Sequence, residues 1–371
     1  MKTIALDEFL ISVAKSGIVR RERIDNLLGM APTERVESST SFAKWLVRQK
    51  VLTRFQAKKI LGGTWRGLVL GDFEIRDVLG KGGMGSVYLV YDRNECRFCA
   101  LKVLSRHRRD QSRDLLRFQR EIEVGMRLQH PGIAATLGSG EAEGVQYLIM
   151  EYVPGPTLFR LVKDHGPISP YWVCRWGAQA ANALEYIHRS GMVHRDVKPS
   201  NIVITPQGRA RLLDLGLVRW LEDDHNEQHV IGDRRIVGSF DYIAPEQATD
   251  SASAEAPSDV YSLGCVLDFL LAGRPPFHFV RAQRKKIHFH RYHDPQPIQS
   301  IRQDLPGPFL DGIDRMLAKD PQQRLRTAAE AETLLDTWAS QFPPEHLPTL
   351  VLLHSEPEDD SDIEESEVIE V

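Results

Sequence analysis

The sequence predicts an α+β chain in two lobes, a small strand-rich lobe and a larger helical one, with a small helical domain in front. Three observations carry this. Apolar residues repeat at a helical period through Thr64, alternate like strands from Gly71, and return to helical spacing from Tyr171 onward.

Within residues 1–64, Phe9, Leu10, Val13 and Ala14 recur at i, i+1, i+4 and i+5, and Ile24, Leu27 and Leu28 at i, i+3 and i+4. Val13–Leu28 also aligns without gaps on Leu46–Leu61, with apolar matches such as Val13/Leu46, Val19/Leu52 and Leu28/Leu61. The repeat predicts two helix–turn–helix hairpins packing face to face, as an interaction module for a regulatory partner or as a brace for the larger domain. Residues 71–342 form that domain. Its strands open at GLVLGDFEI and continue through Phe98–Leu104 and the apolar run Val145–Tyr152. After Phe342 the periodicity ends, and 343–371 reads as an acidic, disordered tail.

The 371 residues, 42% hydrophobic, suffice for a two-lobed domain with an appendage. No run of about 18 apolar residues predicts a membrane span. The start, MKTIALDEFLISVAK, lacks the layout of a secretory signal, so a cytoplasmic location is expected. Four cysteines are too few for a disulfide framework, and Cys96-x-x-Cys99 has no second pair to complete a zinc site. His288, His290 and His293 do not follow a recognised metal spacing. Net charge is −4, which disfavours nucleic acid as a partner. Ser355–Val371 holds nine acids and no Lys or Arg, so the rest of the chain carries +5.

The chemistry starts with a phosphate-binding pattern. Gly80-x-Gly82-x-x-Gly85-x-Val87 lies between two strand patterns, where glycines let backbone N–H groups approach a polyphosphate. A strand, SVYLVYD, comes directly after it, whereas dinucleotide folds place a helix there. Lys102, on the next strand after Ala100, is an ammonium among apolar residues and needs an anionic partner. ATP phosphates would serve, and so would Glu121 in a helical stretch before His130-Pro131.

The run His194-Arg195-Asp196-Val197-Lys198-Pro199-Ser200-Asn201, with Asp214-Leu215-Gly216 after it, supplies the rest. Phosphoryl transfer needs a group to accept the hydroxyl proton, a role that suits Asp196, and cations to neutralise phosphate charge. Asn201 and Asp214 offer hard oxygens to Mg²⁺ or Mn²⁺. Lys198 adds positive charge where negative charge develops.

On these motifs the chain resembles the protein kinase superfamily, specifically the bacterial Ser/Thr kinases of eukaryotic (Hanks) type, over Gly71–Phe342. Ala244-Pro245-Glu246, Asp259 and Arg324 match further family positions. The resemblance implies a two-lobed protein-kinase fold and an enzyme that moves the ATP γ-phosphate to protein Ser or Thr. It implies that Asp259 supports the catalytic loop and that Arg324 pairs with Glu246. Leu79, Val87, Ala100 and Val203 would sandwich adenine, Met150 would be the gatekeeper, and Glu151–Val153 the hinge. The competing readings are a pseudokinase and an adaptor built around the N-terminal helices; Lys102, Asp196, Asn201 and Asp214, where pseudokinases usually fail, are all present.

The chain departs from the family pattern at Leu215 (usually Phe), Ser239 (usually Thr) and Leu325 (often Pro). Ser239 keeps a hydroxyl for Asp196 and Lys198. Leu217–Gly238 has no Ser, Thr or Tyr but has Glu222, Asp223, Asp224, Glu227 and Asp233, which predicts a carboxylate in place of a loop phosphate opposite Arg195. The acidic tail reads as a solubilising extension, or as a segment that docks on the arginines between Arg106 and Arg120.

Overall fold

A computed structural model describes residues 4–81, 85–104, 112–215, 218–220, 239–250, 253–349 and 351. They form two compact units. Among the described residues, one holds the chain up to Asp114 with Leu137–Tyr152; the other holds Leu115–Thr136 with the chain from Val153 to Val351.

The first unit opens with four helices, α1 (Leu6–Lys15), α2 (Arg21–Met30), α3 (Ser39–Arg48) and α4 (Arg54–Leu61). α3 and α4 start 33 residues after α1 and α2, and α1 and α3 end at the same offset. Gly17 and Lys50, also 33 apart, both adopt left-handed backbone, with φ of 75° and 56°. The sequence repeat is therefore a repeat of backbone geometry, with Lys50 in a conformation that glycine takes at no steric cost. The apolar stripes of all four helices close on one core around Phe9, Val13, Phe42, Leu46 and Ile60, with Phe9 meeting Phe42 edge-on.

Six strands come next: β1 (Val69–Leu70), β2 (Phe73–Lys81), β3 (Gly85–Asp92), β4 (Arg97–Leu104), β5 (Thr136–Ala142) and β6 (Val145–Glu151). They form one sheet in the order β1-β2-β3-β4-β6-β5. Side chains alternate between its faces. Phe73, Ile75, Cys99 and Leu101 gather on one face, and Phe55 of α4 packs against that cluster.

A buried polar latch adds direction to this packing. Thr53 and Gln56 form a capping box at the start of α4. The Thr53 hydroxyl also donates to the Arg76 carbonyl (2.6 Å), and the Gln56 amide donates to the Ile75 carbonyl (2.8 Å) and Glu74 (3.1 Å). Glu74 in turn accepts from Arg76 and Arg93, and Arg93 reaches the Gly17 carbonyl. These bonds fix both hairpins to the first strands of the sheet.

The second unit is mainly helical: α5 (Ser112–Arg127), α6 (Leu158–His165), α7 (Pro170–Arg189), α8 (Ala256–Ala272), α9 (Gln283–Tyr292), α10 (Gly307–Met316) and α11 (Ala328–Gln341). Two short ribbons pair β7 (Met192–Val193) with β10 (Arg219–Trp220), and β8 (Ile202–Ile204) with β9 (Ala210–Leu212). α8 is buried at every residue from Ser258 to Leu271, as an apolar helix at the centre of a core must be. α7 crosses it at Gly177, where a Cβ would lie 2.7 Å from Leu267.

The segment after Phe342 corrects one expectation. Residues 343–349 and Val351, which lack any periodicity, lie against this unit. Trp172 donates to the His346 carbonyl, Leu347 packs on the core, and Val351 is buried. Single anchors hold this stretch, and single anchors leave no periodic trace. The acidic residues beyond it lie outside the described residues. All four cysteines are free thiols, Cys96 exposed and the other three buried.

Candidate active site

Each unit carries part of the expected site. In the first, Gly80 ends the β2 side and Gly85 opens the β3 side of the glycine-rich turn, with residues 82–84, including Gly82, outside the described residues. The two flanking glycines differ physically. A Cβ on Gly85 would lie 1.9 Å from the Val103 carbonyl oxygen, so the β3–β4 ladder itself demands glycine there. Among the described residues a Cβ on Gly80 would meet nothing within 4 Å. Packing against the described residues therefore does not require glycine at this position.

Cross-strand pairing puts several expected residues on one sheet face. Val87 and Leu148 flank Lys102, and Met150 pairs with Ala100. This face is opposite the Phe73–Leu101 cluster that α4 covers. Lys102 is buried, and Leu79 on β2 is exposed. Glu151 ends β6, half-buried and opposite Cys99.

In the second unit Val203 packs with Val153 and Ala134, and Leu213 joins them. Glu121 on α5 is buried at 3% exposure. The loop between β7 and β8 carries Asp196, and four groups hold it. The Lys198 ammonium meets Oδ2 at 2.6 Å, Asn201 Nδ2 donates to the same oxygen at 3.1 Å, the Ser239 hydroxyl donates to Oδ1 at 3.1 Å, and the backbone N–H donates to His194. Ser239 therefore does what was expected toward Asp196, while Lys198 bonds the opposite carboxylate oxygen.

Asp259 holds the same loop from below. Fully buried on α8, it accepts from the His194 and Arg195 N–H groups and from His188 Nε2, each at 2.8 Å. Burial pushes its carboxyl up. The His188 hydrogen bond, the His188 and His194 charges and the His194 N–H outweigh this and hold it below the usual carboxylate range. Arg195 sits at φ 65°, left-handed for a side chain larger than glycine, and such backbone persists only where several contacts impose it. Its N–H is taken by Asp259, and its carbonyl accepts from Gln247 Nε2 at 2.7 Å. Sequence reasoning missed Gln247 and His188; the one signal for Gln247 is its place directly after Ala244-Pro245-Glu246.

Arg324 and Glu246 pair through two bonds, 2.7 and 2.8 Å, with Arg324 also donating to the carbonyls of Ala318, Pro257 and Lys319. Leu215 is buried in the main core, so it fills an apolar slot as the larger Phe would. The acidic loop expected to face Arg195 (Glu222, Asp223, Asp224, Glu227, Asp233) lies outside the described residues.

The donor set suits a nucleotide-bound divalent cation. Among the described residues both side-chain hydrogen bonds of Asn201 use its amide nitrogen, leaving the side-chain oxygen Oδ1 as a ligand. The Leu213 N–H bonds the Asn201 main-chain carbonyl at 2.9 Å and so ties the segment carrying Asp214 to Asn201. Among the described residues no group of three His, Cys, Asp or Glu forms a cage. Mg²⁺ on phosphates needs only one or two protein oxygens.

The family described as the protein kinase domain matches residues 73–337. Serine/threonine-protein kinase PknB of Mycobacterium tuberculosis (strain H37Rv) is 38% identical over 280 residues, 74% of this chain and 44% of its own length. PknB of Mycolicibacterium smegmatis is 40% identical over 266 residues, 70% of this chain and 41% of its own. This chain thus spans less than half the length of these curated relatives. The crystal structure of the Mycobacterium tuberculosis PknI kinase domain matches with a TM-score of 0.56 at 28% identity, over 73% of this chain and 98% of that one.

Proposed function

Because this chain belongs to the protein kinase domain family, we propose that it transfers the γ-phosphate of ATP to Ser or Thr hydroxyls of proteins. The observation that carries the reading is the setting of Asp196, with Lys198 on one carboxylate oxygen and the Ser239 hydroxyl on the other. A substrate hydroxyl in the position of the Ser239 contact delivers its proton to Asp196 as its oxygen bonds the γ-phosphorus of ATP and the bond to the β-phosphate oxygen breaks, with ADP leaving. Lys198 sits where it balances negative charge gathering on that group.

Asn201 and Asp214 would hold Mg²⁺, or Mn²⁺, which supplies charge neutralisation on the phosphates. Gly80 belongs to the phosphate-binding pattern, and Lys102 and Glu121 take the roles that the family resemblance gives them. To adenine we assign Leu79, Val87, Ala100, Met150 and Glu151 of the first unit and, by the same family pattern, Val153 and Val203 of the second. For α1–α4 we adopt the brace reading, supported by the Gln56 latch on the strand that leads to Gly80. The free thiols suit a reducing compartment, and we place the protein in the cytoplasm. Among the described residues no helix is long and apolar enough to cross a membrane.

The test is transfer of labelled γ-phosphate to a generic basic protein with Mg²⁺, by the wild type and Asp196→Asn in parallel. Transfer by the wild type and a loss of at least about 100-fold in the variant are expected. Equal transfer by both would refute the role of Asp196. ATP binding without any transfer would refute the activity.

A further inference from the structure

We propose that the exposed face of α9, with the His278–Phe279 turn before it, binds the acidic segment Glu356–Glu370 of this same chain. From Arg281 to His293 the sequence holds five Lys or Arg and no acid. Arg281, Arg284 and Lys285 are exposed. Beside them stand two large exposed rings, Phe279 at 58% and Tyr292 at 59% exposure. Both are fixed by neighbours: Phe279 meets Phe277 and Phe289 edge-on, and the Arg291 guanidinium lies 4.8 Å from the Tyr292 ring centre. The surface therefore offers cations and apolar area together in a set geometry.

The acidic segment matches both. It carries nine carboxylates and no Lys or Arg, with Ile363, Val368 and Ile369 set among them. Guanidinium and ammonium groups pair with the carboxylates, and the rings accept the aliphatic side chains. Length does not prevent contact within one molecule. Twenty residues follow Val351, which reach up to about 70 Å when extended. A unit of this size has a radius of gyration of about 17 Å. The arginines between Arg106 and Arg120 have the exposed Leu116 among them, whereas α9 sets two exposed aromatic rings beside its cations. The site also borders the reaction centre: Lys286 of α9 pairs with Asp241, two residues after Ser239, whose hydroxyl donates to Asp196.

The test uses the full chain with all nine acids of the segment changed to Asn or Gln, which leaves α9 open. It is titrated with a fluorescently labelled peptide of residues 355–371 at about 50 mM and about 500 mM salt. Saturable binding at low salt and its loss at high salt are expected, because the screening length shrinks from more than about 10 Å to a few Å. Adding Arg281→Gln, Arg284→Gln and Lys285→Gln weakens binding by about tenfold or more, as removal of three exposed ion pairs predicts. Phe279→Ser alone weakens it several-fold while leaving the charge intact. The unsubstituted chain binds the peptide less tightly, since its own segment competes. No binding at low salt overturns the proposal. So does unchanged affinity in the triple variant, or a loss that accompanies Arg113→Gln, Arg117→Gln and Arg120→Gln instead.

Discussion

Asp259→Asn changes one atom of a buried side chain, and its cost can be worked out from the contacts around it. The carboxylate accepts three hydrogen bonds of 2.8 Å, two on Oδ2 and one on Oδ1. Bonds to a charged acceptor contribute about 1.5–3 kcal/mol each, and neutral ones about 1. The amide oxygen can keep the His188 and His194 bonds as neutral ones. The amide nitrogen, a donor, then faces the Arg195 N–H and leaves it unpaired. Less buried charge offsets part of the loss, which comes to about 3–5 kcal/mol. At a slope of about 3 kcal/mol/M, the urea midpoint falls by about 1–2 M. The fluorescence of Trp176, fully buried in the same unit, reports that transition. Acid adds a second reading. A carboxyl held below its unfolded value of about 3.9 contributes stability above that pH and loses it as pH falls through the folded value. The Asn variant lacks that part of the acid loss. Phosphoryl transfer falls as well, because the φ 65° backbone of Arg195 loses one of its two tethers and Asp196 moves with it. A variant that matches the wild type in urea midpoint and transfer rate refutes this chain of reasoning.

Three further outcomes are expected. Ser239→Ala removes the hydrogen bond to Asp196 Oδ1 and lowers kcat by about five- to tenfold, whereas Ser239→Thr retains most of the rate, as steady-state kinetics would show. Gln56→Leu leaves the Thr53 N–H and the Ile75 carbonyl without their buried partner, costs about 2–4 kcal/mol, and speeds amide exchange in α4. Asp268 is pushed up to about 7 by burial and by Asp314. The folded protein then keeps a proton that the unfolded chain releases above about pH 3.9, so stability falls between about pH 4 and 7, by at most about 1.4 kcal/mol per pH unit. Asp268→Asn flattens that decline in a series of urea midpoints.

What the sequence made legible was local or periodic. Helical spacing located α1–α4, and the 33-residue offset is already visible in the pairs Val13/Leu46 and Leu28/Leu61. Asp196, Asn201 and Asp259 stood out because the chemistry and the family pattern fix their neighbours. Contacts made by one side chain across a long loop escaped. The Gln56–Ile75 and Lys286–Asp241 bonds join residues on different elements, and neither leaves a pattern along the chain. Gln247 escaped for a related reason: its role is to hold the backbone of Arg195, and a glutamine beside a known motif carries no mark of that. The packed stretch of residues 343–349 was hidden because its anchor at His346 is a main-chain carbonyl, identical in every residue type.

The paired hairpins also contain a comparison that nature rarely leaves in one molecule. Thr53 and Gln56, which grip the sheet, have Arg20 and Arg23 as their counterparts 33 residues earlier, both exposed. One copy is tethered through these positions and its twin is not. Equivalent substitutions at Gly17 and Lys50, or at Val13 and Leu46, therefore separate the intrinsic cost of a change within the hairpin from what attachment to the sheet adds.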